Sequence, residues 1–60
     1  MIYVVVRNNE NAEWNNKIIN RCDAWEQDGE ARMRREAREA GWVPMESEIT
    51  SMGDMIIWVE

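Results

Sequence analysis

Histidine and phenylalanine are both missing from these 60 residues, and cysteine and proline occur once each. Each absence excludes a class of chemistry. Without an imidazole the commonest general base of enzyme catalysis is gone. A structural zinc site draws its four ligands mainly from cysteine and histidine, and one thiol cannot supply it. Cys22, standing alone, can form no disulfide within the chain. The three glycines, Gly29, Gly41 and Gly53, are isolated and make no phosphate-cradling loop. Carboxylates are plentiful, yet no pair has a spacing diagnostic of glycosidase or metal chemistry. The run from Asp23 through Asp28, Gly29 and Glu30 departs from the calcium-loop pattern. The expectation is a protein that is not an enzyme and uses no cofactor and no metal.

Long apolar runs are absent too. Nothing approaches the roughly 20 residues needed to span a bilayer. Residues 1–6 are apolar but lack the basic start and small-residue cleavage site of a signal peptide. With one unpaired cysteine, this points to a reducing, cytoplasmic setting and to no membrane role.

Twelve acidic residues against seven basic ones give a net charge of −5. That balance opposes a dominant phosphate-binding role, because nucleic-acid affinity rests mainly on cationic neutralisation. It supplies solubility and suits a basic partner surface. A chain of this length buries only about 60% of the surface its unfolded form exposes. With disulfides and zinc excluded, association with another chain is the remaining staple, either as a homodimer or by docking on a larger protein.

The clearest strand is Ile2-Tyr3-Val4-Val5-Val6-Arg7, rich in β-branched residues. Met55 to Glu60 reads as another, and both are apolar on either face. Trp42 to Ser51 is a weaker strand, and Pro44, which cannot donate to a ladder, assigns it to the sheet edge. Ser51-Met52-Gly53-Asp54 reads as a turn, with Gly53 free to take positive φ. Between Asn11 and Ala40, the residues Trp14, Ile18, Cys22, Trp25, Gly29, Met33, Ala37 and Ala40 recur every three or four positions, the stripe of a helix. Asn8, Asn9 or Asn11 would cap it and Gly41 would stop it. Asn15, Asn16 and Asn20 would lie on the polar side of its first half.

Thirty residues of helix would span about 45 Å, more than twice a six-residue strand of about 20 Å. The expected break is at Asp28-Gly29, leaving segments at 11–27 and 30–40. The fold expectation is therefore α+β, a single domain over residues 1–60. It consists of a small three-stranded sheet, β-α(α)-β-β, with the 55–60 strand between the other two. One face is packed by a long helix or by two helices broken near Gly29.

Two sets of residues stand out as candidate sites. If Met55, Ile57 and Val59 face the helix, then Ile56 and Trp58 share the opposite face with Tyr3 and Val5. Such an uncovered apolar cluster marks an interaction surface, unless a second helical segment folds over it. Glu46, Glu48, Asp54 and Glu60 would meet cations of the partner. The second set is Arg32, Arg34, Arg35 and Arg38, a patch for nucleic acid or an acidic partner. Against it, Glu30–Arg34, Arg32–Glu36 and Arg35–Glu39 are all i,i+4 pairs, the mark of a solvated helix. Trp14, Trp25 and the Cys22 thiol read as core, and Trp42 as packing over the helix end.

The leading functional expectation is a non-catalytic protein–protein interaction module. Its concrete form is a small acidic inhibitor of a nucleic-acid-processing enzyme, of the kind phages use against host or defence machinery. The alternatives are a nucleic-acid-binding regulator using the arginine-rich helix, and a small homodimeric accessory protein.

Overall fold

The computed structural model describes all residues from Met1 to Glu60. In chain order it contains β1 (Ile2–Val6), a 3-10 turn (Ala12–Trp14), β2 (Ile18–Cys22), α1 (Gly29–Glu39), β3 (Pro44–Ile49) and β4 (Met55–Val59). The strands form one four-stranded sheet in the order β2-β1-β4-β3. β1 pairs antiparallel with β2, β3 pairs antiparallel with β4, and the two hairpins join through a parallel β1–β4 ladder. The fold is α+β with one sheet and one helix.

This corrects two expectations. The sheet has four strands rather than three, and residues 11–27 are not helical. The asparagines explain why. Asn8 and Asn16 take positive φ, 54° and 66°, a conformation asparagine tolerates better than most residues. The Asn9 N–H donates to Asn15 Oδ1 at 2.8 Å, and Asn15 Nδ2 donates back to the Asn9 carbonyl at 3.2 Å. Asn11 N–H donates to Asn9 Oδ1, and Asn11 Oδ1 caps the 3-10 turn by accepting from Glu13 N–H. These side chains satisfy the backbone in place of a helical ladder, and the chain reverses. Val6 N–H then donates to the Lys17 carbonyl, and Asn16 N–H to the Val6 carbonyl, closing the hairpin. The asparagines are a turn, not the polar face of a helix.

α1 begins at Gly29 itself. A Cβ there would sit 3.2 Å from both the Cys22 sulfur and the Ile2 side chain, so glycine permits the close approach of helix to sheet. Asp28 precedes it in the left-handed conformation at φ 56° without a side-chain cap. The helix stops at Gly41, φ 94°. There Gly41 N–H donates to the Arg38 carbonyl and Trp42 N–H to the Ala37 carbonyl, the two bonds of a Schellman cap. Eleven residues span about 16 Å, which matches the five-residue strands and removes the length conflict.

Under the helix lie Ile2, Val4 and Val6 from β1, Ile57 and Val59 from β4, and Cys22 from β2, against Met33 and Ala37. Ile19 is the extra residue of a bulge opposite Val4/Val5 and packs on the same core. The helical stripe is thus real only from Gly29 to Ala37. Trp14 is 38% exposed and Trp25 95% exposed, so neither belongs to the core as the spacing suggested. Trp14 lies 5.6 Å from Trp42, ring to ring, and Trp42 packs partly on the core. The position of β4 between β1 and β3, the placing of Pro44 on an edge strand and the turn at Gly53, φ 86°, agree with the sequence.

These packing differences have a direct consequence. Met33→Ala, which empties a fully buried position, is expected to lower stability by about 2–5 kcal/mol. Trp25→Ala is expected to stay within about 0.5 kcal/mol, as for a surface site. Urea denaturation at matched pH checks both values.

Candidate functional site

α1 covers one face of the sheet and leaves the other open. Strand alternation places Tyr3 and Val5 of β1, with Arg7 just past its end, on that open face, beside Ile56 and Trp58 of β4 with Glu60 just past its end. From the edge strands, Arg21 lies level with Tyr3, Ile18 with Val5, and Glu48 with Ile56. Val5 is only 7% exposed because its neighbours crowd it, whereas Tyr3, Ile56 and Trp58 are half-buried. A groove of about 400 Å³ runs across this face, lined by Tyr3, Val5, Ile18, Met52, Asp54 and Ile56 among others. The structure therefore gathers Tyr3, Val5, Ile56 and Trp58 on one surface. Ile18, Met52 and Arg21 join them, three residues that sequence reasoning missed. The adjacent β-branched pair Ile18-Ile19, following the turn asparagines, was the available signal for a strand there.

The charged members are mostly engaged within the chain. Arg7 Nε donates to Glu60 at 3.0 Å, and its terminal nitrogens reach the two oxygens of Glu46 at 2.7 and 3.0 Å. Its guanidinium also lies 5.8 Å from the Trp58 ring centre, a cation–π contact. Asn8 Nδ2 donates to the same Glu60 oxygen. Hydrogen bonds from Arg7 hold the Glu46 carboxyl below the ordinary carboxylate range, and Glu46 and then Glu60 raise the Arg7 pKa. Asp54 accepts from the Met1 ammonium at 3.1 Å. Of the acidic set, only Glu48 enters no ion pair.

The arginines of α1 divide differently from the sequence pattern. Arg32 binds Glu26 through Nε and a terminal nitrogen, and Glu36 at 2.9 Å, while Asn20 donates to the other Glu36 oxygen. It thereby ties the β2–α1 loop, the helix and β2 together. Arg34 pairs with Glu30 at 3.2 Å and donates to the Met45 carbonyl at 2.7 Å, tying α1 to β3. Arg35 and Arg38 are exposed and enter no ion pair, so the Arg35–Glu39 pair suggested by spacing does not form. Arg32 and Arg34 are struts, and the four arginines do not present one free cationic surface.

Other chemistry finds no assembly. No three or more carboxylates or thiols gather as a metal-binding group. The Cys22 thiol is buried under Gly29, and desolvation, with Glu26 adding to it, raises its pKa. That favours the unreactive protonated form. No helix is long and apolar enough to cross a membrane. No family model matches the chain, and no curated protein or solved structure matches it either.

The Arg32 cluster contributes to the acid response of the fold, beside the Arg7–Glu46 pair. Its hydrogen bond to Arg32 lowers the pKa of Glu26, and bonds from Asn20 and then Arg32 lower that of Glu36. A carboxyl with a depressed folded pKa contributes stability above its unfolded value, about 4.3 for glutamate, and loses it as pH falls through the folded value. Wild type should therefore lose urea resistance as pH falls below about 4.3. Arg32→Met should flatten that acid limb, and equal slopes in the two proteins would exclude the linkage.

Proposed function

We propose that this protein is a non-catalytic protein–protein interaction module that meets another protein chain through the open face of its sheet. The observation that carries this reading is the groove bearing Tyr3, Ile18, Met52 and Ile56 beside Trp58, on the face opposite α1. Apolar patches that a chain leaves uncovered characteristically serve as contact surfaces, and tyrosine and tryptophan are prominent among binding hot spots. The polar rim formed by Arg7, Arg21, Glu46 and Glu48 supports the same reading, since interfaces combine an apolar centre with a charged border.

The narrower version, a small acidic inhibitor of a nucleic-acid-processing enzyme, rests on net negative charge and on Glu46, Glu48, Asp54 and Glu60. Glu46 and Glu60 are held by Arg7, and Asp54 by the N-terminus. In this version Glu48 is the carboxylate free to meet a target cation, and Trp58 and Tyr3 are the apolar anchors. A nucleic-acid-binding role for α1 would rest on Arg35 and Arg38 alone. Two cations offer little counterion release, so the open face is the stronger basis.

Cross-linking in the native cell followed by mass spectrometry tests the proposal. Tyr3→Ala and Trp58→Ala are expected to lose at least tenfold of the cross-linked partner, including any cross-link between copies, with the far-ultraviolet circular dichroism unchanged. Capture that is independent of both residues would exclude the open face as the contact surface.

A further inference from the structure

The open face carries a charge order that its own chain leaves partly unused. Arg21 on the β2 edge is level with Tyr3, Tyr3 with Ile56, and Ile56 with Glu48 on the β3 edge. These four form one row straight across the sheet, with a cation at one end and an anion at the other. Neither Arg21 nor Glu48 has an ion-pair partner within the chain. The next row on this face is Ile18, Val5 and Trp58. One step further, past the Val6–Val59 pair, Arg7 stands beside Glu60.

A twofold axis parallel to the strands, lying between β1 and β4, would set each row against its own reverse. Tyr3 then faces Ile56 of the second copy, Val5 faces Trp58, Arg7 faces Glu60 and Arg21 faces Glu48. Each of these four facing pairs is apolar with apolar or cation with anion, while Ile18 faces the irregular stretch of β3 between Pro44 and Ser47, which carries Glu46. A twofold axis running across the strands sets β2 on β2 and β3 on β3, which brings like-charged edges together. The charge order therefore selects the first arrangement.

We propose that the open face binds a second copy of this chain, face to face about an axis parallel to the strands. The product is an eight-stranded sandwich closed at both rims by Arg21–Glu48 pairs. This rests on the interaction-module reading above and identifies its partner. Stacked sheets lie about 10 Å apart and are rotated by about 30°, an offset that long arginine and glutamate side chains at the rim can follow. The same axis lays the β3–β4 turn near the β2–α1 loop of the second copy. Those segments carry Met52, 87% exposed, and Trp25, 95% exposed, the two most exposed large apolar side chains. Four strands about 4.8 Å apart and about 17 Å long present a projected area of about 320 Å². That is small beside the roughly 800 Å² per partner of a standard interface, so the dimer is a weak one whose association is read over a wide concentration range.

Sedimentation equilibrium at low salt, from about 1 to 500 μM to bracket that range, tests this with charge reversals. Wild type should associate reversibly. Arg21→Glu and Glu48→Arg should each weaken association at least tenfold, since each places like charges at both rims. An equimolar mixture of the two variants should recover it, because every rim of the mixed dimer again joins opposite charges. Circular dichroism confirms that both variants fold. A wild type that stays monomeric throughout overturns the dimer, as does a mixture that associates no better than either variant alone. If the monomeric wild type still cross-links a different protein through Trp58, the dimer fails and the interaction-module reading stands. If it cross-links nothing through Trp58, both fail.

Discussion

The parallel ladder between β1 and β4 is the contact on which the rest of the molecule depends. It joins segments from opposite ends of the sequence, with Ile2 level with Met55 and Val6 level with Val59. Both strands are apolar on both sides, which suits central strands and no others. Each then needs only one further neighbour, and each finds it in the segment next to it in sequence: β2 by one hairpin, β3 by the other. The non-local pairing is made once, and local reversals complete the sheet. Pro44 is tolerated because β3 has a free edge.

A sheet with two apolar faces and a single helix leaves a remainder. α1 has eleven residues, enough to cover one face along the length of the strands and no more. Val4, Val6, Ile57 and Val59 are sealed completely beneath it, and Gly29 lets the helix come close at its first turn. Val5, Tyr3, Ile56 and Trp58 have only one another, Ile18 and the long side chains of the rim. The same shortage of helix that makes the core marginal produces the exposed face. In this protein the stability problem and the interaction surface are two aspects of one geometry.

Charge is distributed by the same logic. Arg32 and Arg34 look like a binding patch along the chain, yet in three dimensions they are consumed in holding α1 to the β2–α1 loop and to β3. Arg7 is consumed by Glu46 and Glu60. Arg21, Glu48, Arg35 and Arg38 are among the charges that enter no ion pair and so remain available to another molecule. Of these four, Arg21 and Glu48 stand on the open face of the sheet, level with Tyr3 and Ile56.

The elements legible along the chain were those whose local chemistry and final environment agree. β1 and β4 are β-branched and are buried in the sheet centre, Gly41 and Gly53 occupy the positive-φ positions that glycine favours, and Pro44 lies at an edge. The segment from Asn8 to Cys22 was illegible as a strand because Trp14, Ile18, Cys22 and Trp25 happen to keep the phase of the true helical stripe that follows. Periodicity records spacing, not whether the backbone between the points is helical. Asparagine side chains bonding to nearby backbone decided that, and they could do so because reversing the chain at residues 8–16 lets Cys22 and Ile19 reach the core beside β1. Composition and local propensity were enough to establish an acidic α+β chain with strands at both β1 and β4 and no histidine-based chemistry. They put only β4 in the centre, because β1 becomes central through the unexpected β2. Strand count, the exposure of Trp25, the strut role of Arg32 and Arg34, and the row from Arg21 to Glu48 all required the folded molecule. Each depends on which residues distant in sequence come level across the sheet, and the parallel pairing of the chain's two ends sets that register.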